Sequence, residues 1–206
     1  MCGRYYLKIS IEKLIEKYGI LNNKDIEFKP TKEIFPSQKV PVIIKKENKK
    51  VDLFKWGFSP SFTNQLIINA RSETLDEKKT FKKLFYSQRC IIPAGGFFEW
   101  KKDNNKNHKF NVSHKNNEII SFAGLYDVYE DESGNSVNSF VIITTEANKD
   151  IKKIHSRMPV ILKEKDEEKW MNTDLTDSDD LKNVLKPYRT NKLNIIPEDR
   201  QMKLDF

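Results

Sequence analysis

The stretch Cys90-Ile-Ile-Pro-Ala-Gly-Gly-Phe-Phe-Glu-Trp100 sets an apolar run and an aromatic run on either side of a Gly-Gly pair. β-Branched and aromatic residues flanking glycines read as strands that meet at a turn. Glu99 lies between Phe98 and Trp100, so its carboxyl belongs to a partly apolar strand, where desolvation raises a carboxylate pKa. Cys90, inside the apolar run, reads as an inert core thiol.

The pattern extends in both directions. Downstream, strands over 109–113, 119–128 and 139–144 are separated by Asn116-Asn117 and by the polar turn 132–135, a spacing that predicts an antiparallel meander. Residues 155–162 close the β-rich part, and two polar helices follow near 164–171 and 178–185, their acidic residues forming a solvated face. Upstream, a helix over 80–86 follows Ile67-Ile68 and the segment 69–74. Strands over 40–44 and 51–56 flank a lysine-rich turn, with Pro41 placing the start of the first at an edge and Trp56 in the core. Residues 22–39, punctuated by Pro30 and Pro36, read as loop. Before them, Ser10 caps a helix whose apolar face is Ile11, Leu14, Ile15 and Tyr18 and which Gly19 stops. Residues 3–7 form a first strand. The expectation is a single α+β domain over 1–206, built on a curved, mainly antiparallel, barrel-like sheet with peripheral helices. Residues 193–206 carry no assigned role.

The chain of 206 residues is long enough to bury a substantial core, and its 37% hydrophobic content includes 13 Phe and 7 Tyr, which predicts a core of aromatics. A formal charge of +7 favours a polyanionic partner. Two cysteines are too few for a disulfide framework and point to a reducing cytoplasm. With no apolar leader and no run of membrane-spanning length, a soluble cytosolic protein, acting as a monomer away from membranes, is expected.

The N-terminal Met1-Cys2-Gly3 adds specific chemistry. Removal of Met1 leaves Cys2 with a free α-amine beside its thiol. That amine, with a pKa of about 7.7–8.0, attacks an aldehyde to give a Schiff base. The thiol then adds to the imine carbon and closes a five-membered thiazolidine. The same residue is also suited to cleaving an amide with its own amine as base, as N-terminal threonine hydrolases do.

Four segments taken in order, Met1-Cys-Gly-Arg4, Asn69-Ala-Arg-Ser-Glu-Thr74, Cys90 to Trp100, and His155-Ser-Arg-Met-Pro-Val-Ile-Leu162, resemble the SRAP family of abasic-site processing proteins, which react with damaged single-stranded DNA. Trp56-Gly57-Phe58, Phe122-Ala-Gly-Leu125 and Ile142-Ile-Thr-Thr145 add weaker matches, and the resemblance is strongest over 1–170. It implies the SRAP fold and a role in the response to DNA damage. The mature N-terminal cysteine would capture the ring-opened aldehyde of an abasic deoxyribose in a thiazolidine crosslink, which shields the strand from cleavage.

The resemblance makes Cys2 the nucleophile, flanked by Asn69 and Glu99 and completed by His155. Each residue type suits such a role. Glu99 is a general acid for the departing carbinolamine hydroxyl, the Asn69 amide bonds the amine or sugar oxygens, and His155 moves protons in sugar ring opening or in reversal. Arg4 and Arg71 are suited to grip phosphates, and Phe62 to stack on bases. No cofactor and no metal is required: a zinc site from Cys2, Cys90 and His155 lacks paired ligand spacing and would consume the thiolate. Ser156 stands where the family usually has an acid, and Glu33 replaces a common asparagine before Pro36, where an acid repels phosphate. Two other readings are an N-terminal-cysteine peptidase or autoprotease, with lyase activity a possible adjunct of the crosslinking enzyme, and a non-covalent single-stranded-DNA-binding module.

Overall fold

The computed structural model describes residues 2–21, 26–60, 63–103, 106–130 and 134–198. In chain order the elements are β1 (Tyr5–Leu7), α1 (Ile11–Tyr18), β2 (Thr31–Ile34), β3 (Lys39–Lys45), β4 (Lys49–Trp56), β5 (Asn69–Arg71), α2 (Lys79–Ser87), β6 (Arg89–Ala94) and β7 (Gly96–Asp103). They continue with β8 (Lys106–His114), β9 (Ile120–Glu130), β10 (Ser136–Glu146), β11 (Arg157–Pro159), β12 (Ile161–Leu162), α3 (Glu164–Met171), α4 (Ser178–Val184) and β13 (Leu193–Pro197).

Strands β10, β4, β3, β6 and β9 pair in a closed ring, because β9 returns to β10. Closure leaves the ring without a free edge. A second, five-stranded sheet runs β13-β8-β7-β1-β2. One stretch belongs to both: β6 lies in the ring, bends at Gly95, and continues as β7 in the second sheet. The Gly-Gly pair is therefore a bend in a through-going strand, not the reversing turn expected from sequence. Glycine is required there by a close approach. A Cβ on Gly95 would lie 2.6 Å from the Tyr6 ring, and one on Gly96 would collide with the Val112 carbonyl.

The sheets meet through aromatic rings, as the composition suggested. Tyr5 and Phe97 of the second sheet face Phe122, Trp56 and Phe140 of the ring. Tyr5 makes edge-to-face contacts with Trp56 (5.2 Å) and Phe122 (6.0 Å), Phe97 another with Phe122 (6.0 Å), and Trp56 stacks on Phe140. Offset and edge-on geometries of this kind add to the burial energy of each ring.

Other expectations need correction. The loop read over 22–39 contains β2, which pairs with β1; its sequence, Thr-Lys-Glu-Ile, is short and mostly polar because one side of this edge strand is solvated. The meander is broken, since β8 and β9 follow one another but lie in different sheets. Leu193–Pro197, assigned no role, adds an edge strand to β8. Ser10 occupies the N-cap of α1 without a side-chain bond, although Gly19 does end the helix in the left-handed region (φ 62°). Pro41 is compatible with β3 because β6 pairs only at Ile43 and Ile44, beyond the proline.

Arg89 ties the helices to the ring. Its buried guanidinium donates to the carbonyls of Trp170 (2.7 Å), Phe85 (2.8 Å), Tyr86 (2.9 Å), Leu175 (3.2 Å) and Asn172. Four of these acceptors lie at or beside the C-terminal turns of α2 and α3, where the helix dipole favours a cation. Desolvation lowers the Arg89 pKa to about 10, so it stays charged at neutral pH. Arg89→Met removes five charge-assisted bonds and strands their carbonyls. A loss of at least about 3 kcal/mol in urea-unfolding free energy is expected on that basis; a change under about 1 kcal/mol would show that water or repacking replaces the clamp.

Candidate active site

Cys2 immediately precedes β1 and is buried. It is held there from two directions. Backbone bonds join β1 to the β6–β7 strand, Gly95 N donating to the Tyr6 carbonyl (2.8 Å) and Phe98 N to the Arg4 carbonyl (2.9 Å). On the other side the Asn69 amide donates to the Cys2 carbonyl (3.1 Å) and lies 3.5 Å from the Ile142 carbonyl.

Asn69 is itself positioned by the ring. It opens β5, which runs parallel to β10 with Asn69 opposite Ile142. The Trp56 indole N–H donates to the carbonyl of Ile68, the residue before it (3.0 Å). The Asn69 Oδ1 is buried and has no hydrogen-bond partner among the described residues, so an acceptor beside Cys2 is available to an incoming N–H or O–H.

Glu99 lies midway along β7, opposite Phe110, and is almost wholly buried. Burial pushes its carboxyl above the ordinary range, and the charge of nearby His155 opposes that shift without cancelling it. Burial, then the charge of Glu99, pushes the Cys2 thiol far above its usual value. Burial therefore disfavours the charged form of both groups.

His155 follows a tight helical turn and donates its backbone N–H to the Ile151 carbonyl (2.9 Å). Asn148 builds that turn, its Oδ1 accepting from Asp150 N (3.1 Å) and Ile151 N (2.9 Å). The ring is oriented by the backbone N–H of Arg157, which donates to Nδ1 (3.0 Å). The same Nδ1 lies 3.2 Å from the Arg157 carbonyl, so the backbone of Arg157 holds the ring at this nitrogen. No acid at position 156 is needed for this: Ser156 contributes its carbonyl, which accepts from Ala147 N (2.9 Å).

The structure thus groups Cys2, Asn69, Glu99 and His155. Arg71 is exposed at the end of β5 and, two residues from Asn69, shares its face of the strand. Arg4 is engaged elsewhere: its guanidinium stacks on Phe35 (3.6 Å) and lies 3.6 Å from Glu33. Lys109 joins that cluster by pairing with Glu33 (3.1 Å) and Glu198 (3.3 Å), so the acid at position 33 is neutralised within the protein. Phe62 lies outside the described residues. Cys90 is buried, its thiol pushed well above the usual range by desolvation.

Sequence reading gave no role to a network behind His155. Arg157 bonds Glu73 with two N–H groups (2.7 and 2.9 Å) and the Thr144 carbonyl with one (2.6 Å). Partial burial pushes the Glu73 carboxyl upward, but the Arg157 bonds prevail and hold it below the ordinary range. Both residues stood in the quoted motifs; nothing local in either motif signals that they meet.

The fold and the grouping define a β-ring protein that buries an N-terminal-side cysteine against an amide, a carboxyl and an imidazole. The family model described as SOS response associated peptidase (SRAP) matches residues 1–203. Abasic site processing protein YoqW of Bacillus subtilis is 37% identical over 196 residues, covering 91% of this chain and 88% of that protein. Abasic site processing protein YedK of Escherichia coli is 28% identical over 182 residues, covering 85% and 82%. A crystal structure of a protein from Bacteroides thetaiotaomicron matches with a TM-score of 0.85 at 27% identity, covering 98% and 95% of the two chains. The chain belongs to the SRAP family.

If Asn69 anchors Cys2, Asn69→Ala should raise the native-state rate of maleimide labelling at Cys2 and leave Cys90 protected, as read by peptide mass mapping. The stability cost should be about 0.5–1.5 kcal/mol, the worth of one hydrogen bond. Unchanged labelling of Cys2 would assign the anchoring to β1 alone.

Proposed function

We propose that this protein captures abasic sites in single-stranded DNA covalently, through Cys2 after removal of Met1. The observation that carries the reading is the meeting of Cys2 with Asn69, Glu99 and His155 in one buried cluster. The relatives' names, as abasic site processing proteins, identify the lesion as substrate.

The chemistry follows from the protonation states. The free α-amine of Cys2 attacks the C1′ aldehyde of the ring-opened deoxyribose to give a carbinolamine. Glu99, whose burial favours the protonated form, donates a proton to the leaving hydroxyl, so water departs and the imine forms. The thiol then adds across the C=N bond: sulfur bonds to carbon, and the S–H proton is transferred to nitrogen. A neutral thiol satisfies this balance. The elevated Cys2 pKa therefore favours an amine-first reaction and disfavours the thiolate-first attack of a cysteine peptidase. Asn69 offers its Oδ1 to the amine or a sugar hydroxyl. His155 serves ring opening or reversal through Nε2.

Single-stranded substrate fits the charge of +7 and the exposed Arg71 beside Asn69. Arg4 can add a second phosphate contact by exchanging Glu33 for DNA, and Phe62 is assigned to base stacking. The protein would work as a monomer, without cofactor, in the cytosol or nucleoid. Among the described residues no helix is long and apolar enough to cross a membrane.

A time course of heat-stable adduct on a single-stranded oligonucleotide with one abasic site, run from about pH 5 to 9 to span the amine titration, tests the roles. Cys2→Ala should form no thiazolidine, leaving at most an imine trapped by borohydride. Glu99→Gln should slow the reaction by about 10²–10⁴-fold, the usual worth of a general acid. Because Glu99 has a raised pKa and acts in its protonated form, the limb that falls with rising pH should vanish in this variant. Full crosslinking by Cys2→Ala would overturn the mechanism, and wild-type rates for Glu99→Gln at every pH would remove Glu99 from it.

A further inference from the structure

A groove of about 360 Å³ opens beside the candidate site, on the Glu99 face of the second sheet. Its position follows from the register. Lys101, on its wall, is two residues along β7 from Glu99, on the same face and about 7 Å away. Phe110, on its floor, is the cross-strand partner of Glu99. Lys153 and Ile154, which form another wall, immediately precede His155. The groove therefore borders both members of the acid–base pair, yet none of its lining residues takes part in the chemistry above.

Its composition is divided. Phe110, Ile154 and Ile195 give an apolar floor, and the exposed Lys101, Lys115 and Lys153 give a cationic rim. Asp150 is the one acid among the lining residues, and its carboxylate accepts the backbone N–H of Asn191 (2.9 Å). That bond also fixes the turn into β13 against the His155 segment. Three ammonium groups facing one engaged carboxylate select an anionic ligand, and an aromatic-bearing floor selects one with an apolar, planar part. The volume lies at the low end of the range for small-molecule sites.

We propose that this groove holds the nucleotide adjoining the lesion on one side, with its base on the Phe110–Ile195 floor and phosphates between Lys101, Lys115 and Lys153. The assignment rests on the DNA reading of the neighbouring site and deepens it: the groove fixes the direction in which the strand leaves Glu99 and His155.

The test has two arms. In the first, fluorescence anisotropy measures binding of an undamaged single-stranded oligonucleotide across a salt series. Lys101→Gln and Lys153→Gln should each weaken binding and reduce the log–log salt slope by about 0.7, the value for one phosphate contact on a single strand. Lys153→Arg should retain the slope, as should Lys46→Gln in the β3–β4 turn. In the second arm, crosslinking rates are compared for oligonucleotides carrying the abasic site at the 5′ or the 3′ end. The Lys101→Gln/Lys153→Gln double variant should slow reaction on the substrate whose flank enters the groove and react like wild type on the other. Unchanged salt slopes, or equal slowing on both substrates, would overturn the groove assignment. Failure of the wild-type protein to crosslink either substrate would instead defeat the covalent reading, while the first arm still reads the groove directly.

Discussion

Two backbone hydrogen bonds, from Gly95 to Tyr6 and from Phe98 to Arg4, hold the N-terminal strand across the bend between the ring and the second sheet. They are short-range bonds with a long-range effect. A chain terminus is ordinarily frayed, but the strand next to Cys2 is an interior strand of a sheet, with β7 on one side and β2 on the other. The bonds form only because the Tyr6 ring can lie against two residues without side chains. The glycine pair thus acts on the chemistry without touching it: a methyl group at either position would lift β1 and with it Cys2.

Desolvation then sets what the site can do. In water a carboxyl is ionised at neutral pH and a thiol partly so, whereas here burial raises both pKa values, and the charge of Glu99 raises that of the Cys2 thiol further. His155 opposes this at Glu99 alone. Burial therefore biases both the carboxyl and the thiol toward their neutral forms. A buried cation, Arg89, shows the contrasting solution: it keeps its charge by collecting carbonyl partners. The Cys2 cluster and the Arg89 clamp thus handle buried polar groups in opposite ways.

Much of this was legible in the sequence, for reasons that differ by element. Helix α1 followed from its apolar periodicity and the stop at Gly19; most strands followed from their β-branched and aromatic runs. The four residues of the cluster were legible through ordered motifs, since local patterning around Asn69 or His155 says little about function. What escaped was what depends on pairing. Thr31–Ile34 is too polar to announce a strand and becomes one because β1 offers it a partner. The Gly95-Gly96 bend looks like a reversal until the neighbouring Tyr6 is known. The Arg157–Glu73 pair joins residues 84 apart, and Arg4 is drawn to Phe35 and Glu33 by the folding of a segment that reads as loop.

The closed ring also carries a consequence in time. Cys2 meets Asn69 across 67 residues, and Glu99 and His155 lie farther still along the chain, while the ring itself closes only when β10 joins β4. Contacts of such sequence separation form late, because the loop entropy must be met before they contribute. During synthesis the Cys2 segment emerges ahead of these partners and waits in solvent until they are made. In the finished fold Cys2 is buried. Any reagent directed at the Cys2 thiol has its best opportunity during that interval, because the segment is made long before the partners that bury it.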